Sequence, residues 1–312
     1  MKYFIQKLTI FLLLVSLIVF LSGRNYGFKK ETSDYMDAII DKHNRLENIV
    51  SPRLIFVGGS NLAFGIDSKK IQDSIGLQVV NLGLHAGLGL EYIINEIKLT
   101  AKPSDIVILS IEYFLGIKGN YELQKHSARN FTLANEFYTK NYYTDIKTFF
   151  AKELPKNLQT NLNQLYRLSI NTTVNSDTSS VYSRSSFNIY GDVIRHLNKP
   201  LPNKLNDRGK FTYKYWEGID YLNEFVNYAK INNIQIYFLY PNYPDTEYNV
   251  NKEVIMKYAN DIENDLNIQV LNNTNDFVFP DSLFYDTVYH LNKLGREKRT
   301  NRLIEILKTH NI

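Results

Sequence analysis

Leu54-Ile55-Phe56-Val57 constrains this chain most: four apolar residues that run straight into Gly58-Gly59-Ser60-Asn61. Such a run reads as a buried strand ending in a tight turn. The glycines let the backbone turn sharply and leave the Ser60 hydroxyl uncrowded. Two further runs of this kind follow, Gln78-Val79-Val80-Asn81-Leu82-Gly83 and Ile106-Val107-Ile108-Leu109-Ser110-Ile111. Helical stretches separate them. Asp67 to Ser74 is a short helix closed by Gly76, and a second pattern follows Gly87 and Gly89 through Leu99, with Leu90, Ile93, Ile94 and Ile97 at helical spacing. Strand, helix, strand, helix, strand at these intervals implies right-handed parallel crossovers, and so an α/β fold.

The flanking chain fits that frame. Residues 31–50 place Met36, Ile39, Ile40, Leu46 and Ile49 as an amphipathic helix ending before Pro52. The alternation stops from 116 to 210, which reads as an insertion capping the active end of the sheet. It holds helical periodicity over 131–168, a Ser/Thr/Asn-rich loop over 169–186, and a compact polar-aromatic element, Ser185 to Asp192. The α/β pattern resumes with a helix over 213–230, a strand over 234–240, a helix over 252–266, a short strand over 268–271, a loop over 281–290 and a closing helix over 294–307.

The first 28 residues stand apart from the globular fold. Lys2 and Lys7 precede an apolar run from Leu8 to Leu21, broken only by Thr9 and Ser16. That is a signal-peptide core or a membrane anchor. The weak cleavage site at Phe20-Leu21-Ser22-Gly23 favours an uncleaved anchor, with residues 29–312 outside the cytoplasm on the periplasmic or extracellular face. The net charge of +4 is spread along the chain, so nucleic acid is not an expected partner. With no cysteine, disulfides, thiolate metal sites and cysteine nucleophiles are excluded. No set of histidines and carboxylates has metal-ligand spacing, and no cofactor is expected.

The second informative stretch is Phe284-Tyr285-Asp286-Thr287-Val288-Tyr289-His290-Leu291-Asn292, with Gly295 following. In one helical turn or a tight loop, the Asp286 carboxylate and the His290 imidazole come within contact range. The carboxylate then accepts from one ring nitrogen and leaves the other free as a base. Set beside a Gly-Gly-Ser strand end, the pair makes Ser60, Asp286 and His290 a candidate catalytic set.

These residues resemble the SGNH (GDSL-like) hydrolase family. Gly58-Gly59-Ser60-Asn61 matches its first block, Asn81-Leu82-Gly83 its second, and Asp286 with His290 its last. The string His290-Leu291-Asn292 with Gly295 is similar to members that act on cell-surface polysaccharides, including O-acetyltransferase-type and D-alanine-transfer proteins. The resemblance covers about 50–308. It implies a three-layer, flavodoxin-like α/β fold with about five parallel strands and the mainly helical insertion after strand three. It also implies a serine esterase or acyltransferase acting on O-acyl, chiefly O-acetyl, groups of an exported or cell-envelope glycan. An acylated glycan or small ester is then the substrate, and a membrane acyltransferase a candidate partner. The oxyanion donors would be the backbones of Ser60 and Gly83, with Asn188 as the side-chain amide. Asn61, His85, Glu112 and Tyr113 would line the substrate. Two departures stand out. The family spacing Asp-x-x-His has one residue more here, and the third block, Gly-x-Asn-Asp, is replaced by Ser110-Ile111-Glu112-Tyr113. Those departures keep a second reading open, a catalytically weak or inactive protein of this fold that binds glycan. A third is a phosphate or nucleotide binder built on Gly58-Gly59-Ser60; it leaves Asp286 and His290 unexplained.

Overall fold

The computed structural model describes residues 1–23, 33–160, 163, 180–202 and 204–312. The chain divides into two compact units, residues 1–31 with 139–177 and residues 32–138 with 178–312. The region 116–210, expected as one insertion, is therefore shared between them. Part of the expected Ser/Thr/Asn loop, 169–179, lies outside the described residues.

The first unit contains helix α1, Lys2–Gly23, a single helix of 22 residues. Its apolar side chains from Tyr3 to Ile18 are largely exposed. Among the described residues, no helix is long and apolar enough to cross a membrane. The same unit contains a helix at Tyr142–Thr148, capped by Asn141 Oδ1 on the Thr144 amide at 3.0 Å. A π-helical turn over Phe149–Glu153 continues it, and helix follows to residue 160. Pro155 accounts for the wide turn, since its ring crowds the carbonyl four residues back and it has no N–H to donate.

The second unit is α/β. Strands β1 (Arg53–Gly58), β2 (Gln78–Asn81), β3 (Ile106–Ser110), β4 (Gln235–Phe238) and β6 (Gln269–Val270) form one sheet in the order β2-β1-β3-β4-β6. Every pairing in it is parallel. Counting its five strands along the chain, that order is 2-1-3-4-5, the flavodoxin-like arrangement. Both sheet faces are covered, which is why the strands read as continuous apolar runs. Ile55, Val57, Val80, Val107 and Leu109 pack with the helices α5 (Gly89–Thr100), Gly218–Ile231 and Asp245–Asp265. Leu54, Phe56, Val79 and Ile108 pack with α4 (Ser68–Ile75) and the final helix, Lys293–Thr309.

At the amino end of the sheet, a buried ion pair joins Arg53 of β1 to Asp105, just before β3. The Arg53 Nε lies 3.0 Å from Asp105 Oδ1, and the Lys102 amide donates to Asp105 Oδ2 at 2.8 Å.

Several local features depart from expectation, among them the helix expected over 213–230, which begins at Gly218. Ser60 opens a one-turn helix, α3 (Ser60–Ala63), instead of sitting in a simple turn. The helix expected over 252–266 begins at Asp245, directly after Pro244, which suits the first turn because its missing N–H has no helical partner to lose. A small parallel pair, β5 (Tyr243–Pro244) and β7 (Val278–Phe279), flanks the main sheet.

Candidate active site

Gly58 and Gly59 are small because two neighbours take the space of a side chain. A Cβ on Gly58 would fall 2.0 Å from the Ser110 carbonyl of β3, and one on Gly59 would fall 2.2 Å from Glu112 Oε1. The close approach of β3 sets the path of the chain into α3 and leaves Ser60 half-buried at its first position. The final helix grips α3 from below. The Arg299 guanidinium donates to the Asn61 carbonyl at 2.6 Å, to Asn242 Oδ1 at 2.6 Å and to Ser110 Oγ at 3.1 Å.

Asp286 and His290 belong to a narrow loop. Phe284 and Leu291 pair across its base, and the Tyr285 amide donates to the His290 carbonyl at 2.7 Å. The closure brings His290 Nδ1 to 2.8 Å from Asp286 Oδ1. An ionised carboxylate only accepts, so Nδ1 carries a proton, and in the neutral form of the ring Nε2 keeps its lone pair. Burial works to raise the Asp286 carboxyl. The hydrogen bond and charge of His290, and the hydroxyl of Tyr182, outweigh it and hold the carboxyl below its ordinary value.

Two residues that sequence reasoning did not single out complete this pair. The Tyr182 hydroxyl donates to Asp286 Oδ2, so both carboxylate oxygens are engaged. Burial, then this bond, raises the Tyr182 phenol well above its ordinary value and keeps it a neutral donor. The Phe64 ring lies flat on the His290 imidazole, centroids 3.9 Å apart and planes 7° apart. Phe64 follows Ser60 by four residues, one helical turn, so the segment that presents Ser60 also carries the platform for the imidazole. That spacing was visible in the sequence; nothing in the polar loop around Tyr182 marked it. Among the described residues, no hydrogen bond joins Ser60 Oγ to His290.

The expected donors and substrate contacts are placed unevenly. The loop after β2 touches the Ser60 segment: a Cβ on Gly83 would lie 2.5 Å from Leu62 Cβ and 2.7 Å from the Gly59 carbonyl. The Gly83 amide, however, donates to Asn81 Oδ1 at 3.0 Å. Asn188 serves its own turn, accepting from the Tyr190 and Asp192 amides at 2.9 and 3.0 Å and donating to Asp192 Oδ2 at 3.1 Å. It lines a concavity of about 380 Å³ with Asp41, Arg45 and Phe187. The Asn61 side chain is buried and donates to the Ser110 carbonyl at 3.2 Å. The Tyr113 ring is buried edge-on against Tyr243 and Tyr258.

Glu112 packs against the Ser60 segment, whereas the hollow that His85 lines includes none of Ser60, Asp286 and His290. His85 lines a concavity of about 410 Å³ with Gly87, Asn120, Glu122, Leu123 and His126. Its Nδ1 accepts from the Gly87 amide at 2.9 Å, which fixes the neutral ring as the Nε2–H tautomer. Burial, and then the charge of His290, lowers its pKa and favours that neutral form. Glu112 Oε1 accepts from the Asn61 amide at 3.2 Å. Among the described residues, no group of three or more His, Cys, Asp or Glu side chains is arranged to hold a metal ion.

Comparison of the sequence with models of known protein families finds none that matches, and comparison with curated proteins finds no match either.

Proposed function

We propose that this chain is a serine acyl-ester hydrolase or acyltransferase of the SGNH type, acting on O-acyl, chiefly O-acetyl, groups of an exported or cell-envelope glycan. The observation that carries this reading is the Asp286–His290 pair at 2.8 Å, seated on Phe64 one turn from Ser60. His290 Nε2 takes the Ser60 proton as Oγ attacks the ester carbonyl. The oxyanion collects donation from the Ser60 amide at the start of α3. The ester C–O bond breaks, and the leaving alcohol takes the proton from His290. Water or a sugar hydroxyl then attacks the acyl-serine, with His290 first accepting and then returning the proton. General-base help of this kind is worth about 10²–10⁴-fold. In this reading the N-terminal segment, residues 1–28, directs the enzyme to the membrane and outside the cytoplasm, where a membrane acyltransferase is a fitting donor partner.

A second reading is favoured by the occupied amides. The Gly83 N–H is held by Asn81, and the Asn188 side chain by its own turn. A protein of this fold that binds glycan and turns over poorly has the same geometry. Labelling the full chain with a serine-directed phosphonate separates the two. The enzyme reading expects modification of Ser60 and release of acetate from aryl acetates or acetylated glycan, both lost in Ser60→Ala. Acetate release that continues unchanged in Ser60→Ala overturns it. Glycan binding without labelling supports the second reading.

A further inference from the structure

Glu112 is an ionisable side chain packed against the Ser60 segment that the scheme above leaves idle. It is 4% exposed, at the carboxyl end of β3. Its carboxyl fills the space that the missing Cβ of Gly59 leaves open and accepts the Asn61 N–H. Its other oxygen, Oε2, is buried without a hydrogen-bond partner. Among the described residues, no Lys, Arg or His nitrogen lies within ion-pair range, 4.0 Å, of this carboxyl.

The charged and titratable groups that face it are few. Arg299, from the final helix, donates to the Asn61 carbonyl, Asn242 and Ser110; its Nε is buried without a hydrogen-bond partner, and its charge pulls the Glu112 carboxyl down against burial. Tyr289, from the His290 loop, takes the Tyr113 amide on its hydroxyl, and burial raises its phenol. Tyr35, from the turn before α2 (Ala38–Asn48), donates to the Leu84 carbonyl, and burial raises its phenol too. A buried carboxylate with one unpartnered oxygen and no ion pair is far costlier than the neutral acid.

We propose that Glu112 is a positioning residue that supports the Ser60 segment in its neutral, protonated form, and that its ionisation switches the Ser60 centre off. Neutral, it still accepts the Asn61 amide and adds no charge beside Ser60. Ionised, it sets a negative charge against the place where the oxyanion develops, and in a water-poor site that opposition is strong. Burial pushes the Glu112 carboxyl up to about 7, against its own amide, the Asn61 amide, the Arg299 charge and the Gly59 amide, so the switch falls near neutral pH.

The inference rests on the acyl-transfer reading, and the test separates the two. In the full chain, the rates of Ser60 phosphonylation and aryl-acetate hydrolysis are followed against pH for the wild type, Glu112→Gln and Glu112→Ala. The wild-type rates are expected to fall above about pH 7, approaching roughly tenfold per pH unit. Glu112→Gln keeps the neutral shape, so near pH 6 it retains roughly tenfold more rate than Glu112→Ala, and it shows no alkaline fall. Glu112→Ala is slower throughout, by roughly tenfold or more. An infrared difference spectrum of wild type against Glu112→Gln should show a protonated-carboxyl C=O stretch near pH 6, whether or not the protein turns over. Rates without an alkaline fall, a Gln variant as poor as Ala, or a missing infrared band overturns the proposal and leaves the esterase standing. A wild-type chain that takes no phosphonate at any pH overturns the acyl-transfer reading and this inference together.

Discussion

The Phe64 ring lies parallel to the His290 imidazole at 3.9 Å, and Phe64 is itself fully buried. The contact couples the helical turn that begins at Ser60 to the loop that carries His290. Phe64→Ala removes both a buried ring and the surface that sets the imidazole plane. A stability loss of about 3–5 kcal/mol is expected, measured by urea denaturation. Phosphonylation of Ser60 should slow by roughly tenfold or more. Phe64→Leu fills more of the space without the flat surface, so it should recover more stability than reactivity. Equal recovery of both would count against an orienting role.

Tyr182 is expected to tune the acid end of the pH profile. Its hydroxyl is one of the groups that hold the Asp286 carboxyl below its ordinary value, after burial, which opposes the shift, and His290, which dominates it. Activity that needs ionised Asp286 is present above that folded-state value and is lost as pH falls through it. Tyr182→Phe removes a donor to the carboxylate, so the loss should begin at higher pH. The phenylalanine ring keeps the packing, so the urea midpoint at neutral pH should move little. An acid limb at the wild-type position would argue against the assigned role.

Glu112 should also leave a mark on stability. Its folded-state value, about 7, lies above the ordinary 4.5. Between those values the folded chain holds a proton that the unfolded chain has released. Stability therefore falls as pH rises from about 4.5 to about 7, by on the order of 3 kcal/mol, and stays lower above that window. Glu112→Gln should flatten this slope in urea midpoints taken across the range, and should be more stable than wild type at alkaline pH.

Arg53 and Asp105 form a structural pair away from Ser60, and both are fully buried. Burial works to raise the Asp105 carboxyl, and the Arg53 hydrogen bond with the Lys102 amide overcomes it, so the net shift is downward. The stabilisation is present above the ordinary carboxylate value of 3.8 and is lost as pH falls through the lower folded value. Asp105→Ala leaves the guanidinium buried and unpaired, at a cost of about 3–5 kcal/mol in urea denaturation. It should leave Ser60 phosphonylation of the folded fraction unchanged.

Much of the architecture was legible because its causes are local. Leu54 to Val57 and Ile106 to Leu109 are apolar on every residue, as are Val79 and Val80 before Asn81, and a strand covered on both faces suits that pattern. Asp67 and Gly76 marked the ends of α4 by their own capping chemistry. Asp286 and His290 were legible for the same reason: four residues apart in a tight loop, they meet through local backbone closure. The tertiary structure decided which polar groups are spoken for. The Gly83 amide and the Asn188 side chain bind close neighbours, yet no spacing rule says that these bonds win over others. The partners of the candidate triad come from far away in sequence: Tyr182 on Asp286, Phe64 on His290, and Glu112 beneath Ser60. Such contacts depend on how whole elements dock, and a side chain's charge state depends on the burial that docking imposes. Residue order alone therefore pointed to Ser60, His290 and Asp286. What holds them, and in which protonation state, came from the fold.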